Sequence, residues 1–326
     1  MEKQRKILIL VLAAILLTGI VLYGGLLFWE STVLYPENGE ETVSSSKTVV
    51  TDGRHYFPRQ DITVILLMGI DEDGPVRDSL SYNNMGEADM VALLILDEKE
   101  ENCKILTLNR DTMMSIPILG LGGKTAGTKV AQLALAHTYG SGLEDSCENT
   151  RRTVSDFLQG IAIDYYIAMN RDGVAILNDA VGGVTVTVTD DFSGAEEPIP
   201  TGRVTLRGNQ ALTFVQTRKG IGDNLNLSRM ERQKAYMESY VKAFKEQVRK
   251  DENLVLSTYE AVAPYIVSDL PLSTLSGLAE RCRDYSVERI VSPEGRNVLG
   301  EQYYEFYADE QKLDRLVLEL FYAPKE

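Results

Sequence analysis

Three continuous apolar runs lie close together in the first third of the chain. They read DITVILLMGI from residue 61, ADMVALLILD from residue 88 and CKILTLN from residue 103. Uninterrupted apolar runs of this length are typical of strands that are buried on both faces of a sheet. Because only the charged turn EKEEN separates the second run from the third, we expect these two strands to form an antiparallel hairpin. The predicted sheet therefore cannot be purely parallel.

Apolar residues at helical spacing alternate with further strand-like runs in the rest of the chain. The runs DYYIAM and GGVTVTV flank a short amphipathic pattern, RDGVAILNDAVGG. In an earlier segment Asp145 is the expected N-cap, Glu148 stands three residues later, and Gly160 is a stop signal. The predicted helices are 129–139, 145–158, a short one within 171–183, Ser228–Arg249, and a last amphipathic helix that carries Leu313, Leu316, Val317 and Leu320.

This alternation predicts the fold class. Strands that alternate with helices favour an α/β domain, with helices packed on both sides of a central sheet. We therefore predict a mixed central β-sheet sandwiched between helices (αβα), formed by residues 61–250. Residues 251–326 are predicted to be a helical extension that packs on the same domain.

The N-terminus carries a membrane signal. Residues 7–29 form an uncharged apolar run, and a bilayer core needs about 20 such residues. The tail at residues 1–6 holds three cations, whereas Glu30 is the first charge after the run. The positive-inside rule therefore predicts a single-pass anchor with a cytoplasmic tail, an extracytoplasmic domain, and a solvated linker at residues 30–60. A cleaved signal peptide is the alternative, although no small-residue cleavage site follows the run.

Composition narrows the function classes. The net charge of -15 and the pI of about 4.7 argue against a general nucleic-acid binder, which needs a broad basic surface. The three cysteines, Cys103, Cys147 and Cys282, are widely spaced and show no metal-ligand pattern. The chain has only two histidines, which argues against a zinc site or a Ser-His-Asp triad.

One stretch, residues 214–233, departs from this acidic average. Four cations stand there against two acids: Arg218, Lys219, Arg229 and Arg232. We expect Arg229 at the first position of a helix capped by Ser228, where free N–H groups and the helix dipole favour an anion. Arg232 and Gln233 follow at helical spacing on the same side, and the planar fork of arginine suits phosphate oxygens. The alternative is that each arginine pairs with a surface carboxylate.

Carboxylates mark the ends of the three apolar runs. Asp71 follows the first run, Asp89 lies at the start of the second, and Arg110 and Asp111 follow the third. Ligands bind at strand ends in open α/β sheets, and an antiparallel pairing would bring Asp89 beside Asp71. Two convergent carboxylates form a hard-oxygen site of the kind that binds Mg²⁺, which in turn engages phosphates. Each carboxylate also has a simpler interpretation, as a turn residue, a strand cap or a partner for Arg110.

Eight motifs in chain order resemble the LytR-CpsA-Psr family of cell-wall enzymes. They extend over roughly residues 60–240 and read ILLMGIDEDG, ADMVALLILD, LTLNRDT, AQLALAHTYG, GIAIDYYIAMN, LNDAVGGVTVTV, LRGNQALTFVQTRKG and DNLNLSRMERQ. The resemblance implies a mixed sheet between helices and an apolar tunnel that holds a polyprenyl chain. It further implies a membrane-anchored phosphotransferase in a Gram-positive-type bacterium. Such an enzyme moves a glycopolymer from a polyprenyl-pyrophosphate carrier to peptidoglycan and joins it by a phosphodiester.

Motif matching implies roles for single residues. The resemblance makes Asp71 and Asp89 the ligands of Mg²⁺. The residues expected to bind the pyrophosphate donor or to line its pocket are Arg110, Gln216, Arg218, Asp223, Arg229, Arg232 and Gln233. Among them Arg110, Arg218 and Arg229 are expected to hold the pyrophosphate itself. If the reaction needs a general base, the candidates are Asp111 and Asp89.

Two departures from the family pattern stand out. The usual R-x-R is here QTR, so Gln216 replaces the first arginine, and the usual S-I-P-R-D is here TLNRD. Two further hypotheses remain open, and the loss of one charge at the phosphate site favours the first of them. One is a non-catalytic regulator or carrier that holds polyprenyl phosphates, and the other is a hydrolase that uses water in place of the sugar hydroxyl.

Overall fold

The computed structural model describes residues 49–51, 54–80, 84–120, 123–217, 221, 226–251, 254–282, 285–301 and 303–324. The predicted tail, the predicted anchor at residues 7–29 and most of the predicted linker lie outside these ranges, as do Arg218 and Asp223. Within the described ranges, no helix combines the length and the apolar character that a membrane span requires.

The chain forms 15 strands and seven α-helices in the ranges described. The strands are Val49–Thr51 (β1), Arg54–Pro58 (β2), Ile62–Ile70 (β3), Ala88–Asp97 (β4), Asn102–Leu108 (β5), Met113–Leu119 (β6), Thr125–Gln132 (β7), Tyr165–Asn170 (β8), Thr185–Val188 (β9), Gly202–Thr205 (β10), Ile266–Ser268 (β11), Ser286–Val291 (β12), Gly295–Leu299 (β13), Tyr304–Ala308 (β14) and Tyr322–Pro324 (β15). The helices are Glu144–Phe157 (α1), Asp172–Ala180 (α2), Asn209–Gln216 (α3), Asn226–Val248 (α4), Leu254–Val262 (α5), Leu272–Arg281 (α6) and Glu310–Phe321 (α7).

A six-stranded mixed sheet forms the centre, with the strand order β11-β8-β3-β4-β5-β12. The pairs β3–β8 and β5–β12 are parallel, whereas β3–β4, β4–β5 and β8–β11 are antiparallel. The predicted hairpin of the second and third apolar runs is therefore confirmed as β4–β5. The prediction that the sheet is not purely parallel is confirmed as well.

Both faces of the central sheet are buried, as the continuous apolar runs predict. Along β3, Leu66 and Met68 join a core that includes Val154 of α1 and Val317 of α7. The intervening residues, such as Ile65, point to the other face, where a second core includes leucines of α6. A third core joins helices α2 to α5 with β9. The predicted central sheet with helices on both sides is thus confirmed for the described residues.

Three sequence predictions in this part of the chain are corrected. Residues 129–139 were expected to be helical, but strand β7 occupies the start of this segment and a short 3₁₀ helix, Leu133–Ala136, follows it. β7 pairs with β6 in an antiparallel hairpin, and this pairing outweighs the helical spacing of the local sequence. Helix α1 exists as predicted but starts at Glu144, so Asp145 lies inside its first turn and is not the N-cap. The carboxylate of Asp145 instead accepts a hydrogen bond from the N–H of Ser141. Helix α4 begins at Asn226, so Arg229 is its fourth residue and not its first.

The C-terminal part of the chain is more than a helical extension. Beyond residue 250 it supplies both edge strands of the central sheet, β11 and β12, and the β13–β14 hairpin, in addition to the predicted helix α7. Residues 49–58, expected to be linker, instead form β1 and β2, and β15 completes their small sheet. These strands are short, so their alternation of apolar and polar residues is too weak to identify them from sequence.

A buried ion-pair network joins the start of β3 to the far end of β4. Asp97 is fully buried, and its carboxylate accepts hydrogen bonds from Arg59 at 2.6 and 2.7 Å and from Lys104 at 2.9 Å. Burial alone would raise the pKa of Asp97, but the hydrogen bonds from Arg59 and Lys104 outweigh it. The pKa therefore lies well below the usual range of aspartate.

We predict that Asp97→Asn lowers the free energy of unfolding by about 3 kcal/mol, because it leaves two buried cations without their counter-charge. Since the folded-state pKa is depressed, this stabilisation is complete above the unfolded pKa of about 4 and is lost as the pH falls below it. Denaturant unfolding at pH 7 and at pH 3 measures both effects. The control is Glu98→Gln at the neighbouring, exposed position, which should change stability little. Equal stability of Asp97→Asn and wild type at pH 7 would contradict the prediction.

Candidate functional site

Four strand termini meet at one edge of the central sheet. The parallel strands β3 and β8 both end there, β4 begins there, and β5, antiparallel to β4, ends there. Asp71 and Arg171 directly follow β3 and β8, Asp89 is the second residue of β4, and Arg110 follows β5 after one residue. The antiparallel pairing of β3 with β4, on which the predicted proximity of Asp71 and Asp89 depended, is therefore present.

A β-bulge shapes this edge at Asp89. Gly69 pairs with Met90 and Ile70 pairs with Ala88, so Asp89 is the extra residue that has no partner across the ladder. Beyond the bulge, the N–H of Asp71 donates to the carbonyl of Glu87 at 2.8 Å. A bulge redirects side chains and interrupts strand pairing, and here it frees the Asp89 carboxylate for other partners.

The Asp89 carboxylate is held between two arginines from distant parts of the chain. It forms ion pairs with Arg110 and with Arg229, whose Nη1 lies 3.1 Å from Asp89 Oδ2. Arg110 also donates to Glu87. The side chains of Arg110 and Arg229 are only 13% and 4% exposed, so their charges are compensated mainly by these carboxylates rather than by water.

Asp71 has its own pair of donors on the other side of the bulge. Arg171 Nη1 lies 2.8 Å from Asp71 Oδ1, and Nε2 of Gln216 donates to the same oxygen at 2.9 Å. Arg171 extends further to Asp73, at 2.6 Å. Gln216 thus contacts a carboxylate of the site through a neutral amide.

The turn before Asp89 is fixed by buried polar groups. The Asn84 amide donates to the carbonyls of His137 and Gly140 at 2.8 and 3.1 Å, and its Oδ1 accepts from the N–H of Gly86 at 2.8 Å. Burial lowers the pKa of His137 to about 4, so the ring is neutral near pH 7, and Nδ1 donates to the Gly86 carbonyl at 2.8 Å. These bonds hold the backbone directly before Glu87.

Two residues of this cluster were missed in the sequence, Arg171 and Glu87. A repeated tripeptide could have indicated the first, because Asn109-Arg110-Asp111 and Asn170-Arg171-Asp172 each lie at the end of a strand at this edge. Glu87 stands two residues before Asp89, but only the bulge directs both carboxylates to Arg110, and the sequence gives no signal for a bulge there.

Other predicted site residues lie near the cluster but face elsewhere. Asp111 is buried and accepts from Nε2 of Gln132 at 3.2 Å, with Nε of Arg110 at 3.5 Å. Arg232 does not share the surroundings of Arg229. Its guanidinium donates to the carbonyl of Phe214 at 3.0 Å and to the carbonyl of Thr217.

Arg232 also forms an ion pair with Asp190 at 3.1 Å and lies over the ring of Phe192. These contacts tie α4 to the C-terminal end of α3, so the structure places Arg232 in a supporting position. Gln233 does border the cluster: it donates to the carbonyl of Val215 at 3.1 Å and lines a cavity together with Asp71 and Asp89.

A second, apolar cavity adjoins this one. The first cavity, of about 60 Å³, is lined by Asp71, Asp89, Arg171, Gln216 and Gln233 among apolar residues. The apolar cavity, of about 120 Å³, lies between the central sheet and helices α2 and α4. The two share six lining residues: Gly69, Met90, Met169, Val174, Val215 and Gln233. A ligand with a charged head and an apolar tail matches this combination.

The carboxylates of the cluster are suitable ligands for a hard cation. No group of three or more His, Cys, Asp or Glu side chains within the described ranges forms a ready-made metal cage. Mg²⁺, however, usually takes one or two protein carboxylates and completes its shell with waters and phosphate oxygens. Asp71 and Asp89, which line the same cavity, fit that pattern.

We predict that Arg232→Gln lowers the free energy of unfolding by about 2 to 4 kcal/mol. The change leaves Asp190 and two backbone carbonyls without their buried donor. Thermal or denaturant unfolding checks this result. The matched control is Arg207→Gln, an exposed arginine that follows β10, which should unfold like the wild type. A stable Arg232→Gln protein would contradict the supporting position assigned to Arg232.

Comparison with known proteins gives a consistent result. The model of the LytR_cpsA_psr family matches residues 33–320. A curated relative, the polyisoprenyl-teichoic acid–peptidoglycan teichoic acid transferase TagU of Bacillus licheniformis, is 26% identical over 98% of this chain and 96% of its own. The TagU of Halalkalibacterium halodurans is 32% identical, but over 56% of this chain and 53% of its own. The crystal structure of B. subtilis TagV superposes with a TM-score of 0.61 at 24% identity, over 80% of this chain and 96% of that one, and shows a similar fold.

Proposed function

Because the chain belongs to the LytR_cpsA_psr family, we propose that it transfers a glycopolymer from a polyprenyl-pyrophosphate carrier to peptidoglycan through a phosphodiester bond. One observation carries this proposal: the cavity lined by Asp71, Asp89 and Arg171 adjoins an apolar cavity, and Arg110 and Arg229 form ion pairs with Asp89 at its edge. The names of the two TagU relatives agree with a polyisoprenyl donor and a peptidoglycan acceptor. The proposed setting is a domain held at the outer face of the membrane by residues 7–29, near its lipid donor.

The arginines are the proposed pyrophosphate ligands. Arg110, Arg171 and Arg229 each have a carboxylate partner at the sheet edge. A diphosphate offers several anionic oxygens that fit the guanidinium fork, so it would compete with those carboxylates for the same donors. Arg218, close in sequence to Gln216, is proposed as a further ligand. The carboxylates thus keep the arginines oriented until the donor binds.

Asp71 and Asp89 are the proposed residues for Mg²⁺. Once the arginines turn to phosphate oxygens, both carboxylates regain free lone pairs beside the diphosphate. A bound Mg²⁺ would neutralise charge on the phosphates and make the carrier phosphate a better leaving group. Gln216 supports Asp71 with a neutral amide, which leaves the carboxylate its full charge for the cation.

The proposed reaction is a displacement at phosphorus. A sugar hydroxyl of peptidoglycan attacks the phosphorus that carries the glycopolymer, and a new P–O bond forms. The bond from that phosphorus to the bridging oxygen breaks, and polyprenyl phosphate leaves with the electron pair. The hydroxyl proton passes to a carboxylate, for which Asp89 is better placed than Asp111, because Asp89 lines the cavity and Asp111 is buried against Gln132. The arginines supply charge stabilisation.

The apolar cavity is the proposed binding site of the first isoprene units. Its volume of about 120 Å³ is close to that of an engineered cavity of about 150 Å³ that holds one benzene, so most of a long polyprenyl chain must extend beyond it. Met237 lines this cavity and also a groove of about 460 Å³ between α4 and strands β5 and β12. The flexible side chain of methionine can change its conformation to make room for a polyprenyl chain. We therefore place the continuing tail in that groove.

A transfer assay tests the proposed function. The full-length protein in detergent is incubated with a polyprenyl-pyrophosphate glycan, Mg²⁺ and peptidoglycan, and linked product is expected. Free glycan phosphate in its place would indicate a hydrolase, and bound but unchanged lipid would indicate a carrier. Removal of Mg²⁺ by a chelator should abolish transfer.

We predict that Arg110→Ala, Arg171→Ala and Arg229→Ala each lower turnover about 100-fold or more, because each removes a positive charge aimed at the reacting phosphates. Initial rates of product formation measure this loss. Arg152→Ala, at an exposed position of α1, is the control and should retain wild-type rates. Wild-type turnover in the Arg171 and Arg229 variants would contradict the assignment.

We predict that Met237→Trp discriminates between donors by tail length. The larger ring would close the connection between the cavity and the groove, so turnover of a long-chain donor should fall about tenfold while a short-chain donor remains active. Rates with both donors measure the ratio, and Met237→Leu, which conserves volume, serves as the control. Equal losses with both donors would place the tail elsewhere.

A further inference from the structure

Exposed apolar side chains are concentrated on two neighbouring hairpins. In the part of the chain that the structure describes, eight large apolar side chains are strongly exposed. Five of them lie on or beside the β6–β7 and β13–β14 hairpins: Val130, Leu299, Tyr303, Tyr304 and Tyr307. We call these five residues the aromatic edge. Such a concentration is unusual for an exposed surface and marks an interaction site.

The aromatic edge lies at the same end of the central sheet as the arginine cluster. β12 is parallel to β5, so both strands end at this edge, and only three residues separate β12 from the β13–β14 hairpin. The N–H of Phe306, in the hairpin, donates to the carbonyl of Asp111 at 2.8 Å. Asp111 directly follows Arg110, so one peptide unit separates the hairpin contact from a residue of the site.

Gln132 gives a second connection between the aromatic edge and the site. Its Nε2 donates to the carbonyl of Tyr304 at 2.8 Å and also to Asp111 Oδ1 at 3.2 Å. Val130, two residues earlier on β7, projects from the same side of the strand. The two hairpins therefore share one junction, and their exposed side chains extend from it.

The hairpin holds its tyrosines in a defined arrangement. Leu299 pairs across the hairpin with Tyr304, and Tyr303 stands at the turn. The guanidinium of Arg296 lies over the Tyr307 ring, 5.8 Å from its centroid. Phe306 is buried beneath and anchors the hairpin to the domain. Tyrosine has only two side-chain torsions, so it loses little side-chain entropy when a ligand binds.

The charge around the aromatic edge restricts its partner. From Glu294 to Lys312 the sequence has five acids and two bases, and the β6–β7 hairpin adds Lys124 and Lys129. This nearly balanced set of charges does not form the basic patch that anionic phospholipid head groups or a phosphate-rich polymer would require. Tyrosine rings that offer an apolar face and a hydroxyl suit an uncharged ligand with both apolar faces and hydrogen-bonding groups. Pyranose rings have that character.

We propose that the aromatic edge binds the glycan strand of the acceptor, with uncharged sugar rings stacked on Tyr303 and Tyr304. This inference rests on the proposed function, and it assigns the acceptor to the opposite side of Arg110 from the apolar cavity. A strand bound there presents a sugar hydroxyl toward the Asp89 and Arg110 end of the sheet. Donor and acceptor thus reach the arginine cluster from different sides.

The test uses the full-length protein and a Tyr303→Ala/Tyr304→Ala double variant. Binding is measured with purified peptidoglycan sacculi stripped of anionic polymers and with a soluble N-acetylglucosamine tetramer. Loss of two stacking rings should weaken both interactions about tenfold. The Tyr304 carbonyl that accepts from Gln132 is retained, so the hairpin junction should survive. Binding of the polyprenyl donor should be unchanged.

Two matched variants control for folding and for surface effects. Tyr303→Phe/Tyr304→Phe keeps both rings and should bind sacculi nearly as well as the wild type. Phe57→Ala removes an aromatic side chain that is exposed to a similar extent, on β2, which leads into the opposite end of β3, and should have no effect. Equal thermal midpoints for all variants would show that the double variant is folded.

Four outcomes decide the proposal. Weakened sacculus binding and a raised KM for the acceptor, with donor binding intact, support it. Weakened sacculus binding in a protein that performs no transfer also supports it, and in that case the proposed function alone fails. Unchanged sacculus binding in the double variant overturns the proposal. It is also overturned if the substitutions disrupt a dimer in light scattering, or binding to phosphatidylglycerol vesicles, without affecting sacculi.

Discussion

The Asp89 carboxylate joins three segments of the chain that no local interaction would bring together. Asp89 is the second residue of β4, while Arg110 follows β5 and Arg229 lies on α4. Charges this poorly exposed to water are stable only when they are paired, so the folded state requires all three groups in one place. The position of α4 against the sheet edge therefore depends on this ion-pair cluster as well as on apolar packing.

The same constraint explains how an acidic protein can present a site for an anion. Each arginine of the cluster is neutralised by a nearby carboxylate, so the fold does not have to accommodate a group of unpaired like charges. A diphosphate can replace the carboxylates because it offers the same kind of oxygen acceptor with more charge. The apolar cavity beside the cluster excludes water from one side, which strengthens these electrostatic contacts.

The domain contains two kinds of ion-pair network, which differ in whether a ligand can reach their carboxylates. At one end of the sheet, Asp97 is enclosed by Arg59 and Lys104 and has no exposed surface. At the other end, Asp71 and Asp89 line a cavity that opens to the outside of the core. The first network stabilises the sheet, whereas the second leaves its polar groups accessible to a ligand. Both depend on β3 and β4, the two most buried strands.

The sequence by itself determined the family, the mixed sheet between helices, and the identity of most charged residues at the sheet edge. It could do so because continuous apolar runs specify strands buried on both faces, and because a residue next to such a run must lie at a strand end. Only the tertiary structure decided which charges meet. Arg229 and Arg232 are three residues apart on α4, yet Arg229 contacts Asp89 while Arg232 binds the backbone carbonyls of Phe214 and Thr217. Positions three apart differ by about 60° around the helix axis, so the two long side chains can reach different neighbouring elements. The bulge at Asp89, the role of Arg171 and the hairpin strands after residue 250 likewise depend on pairing between distant segments, which a local pattern does not encode.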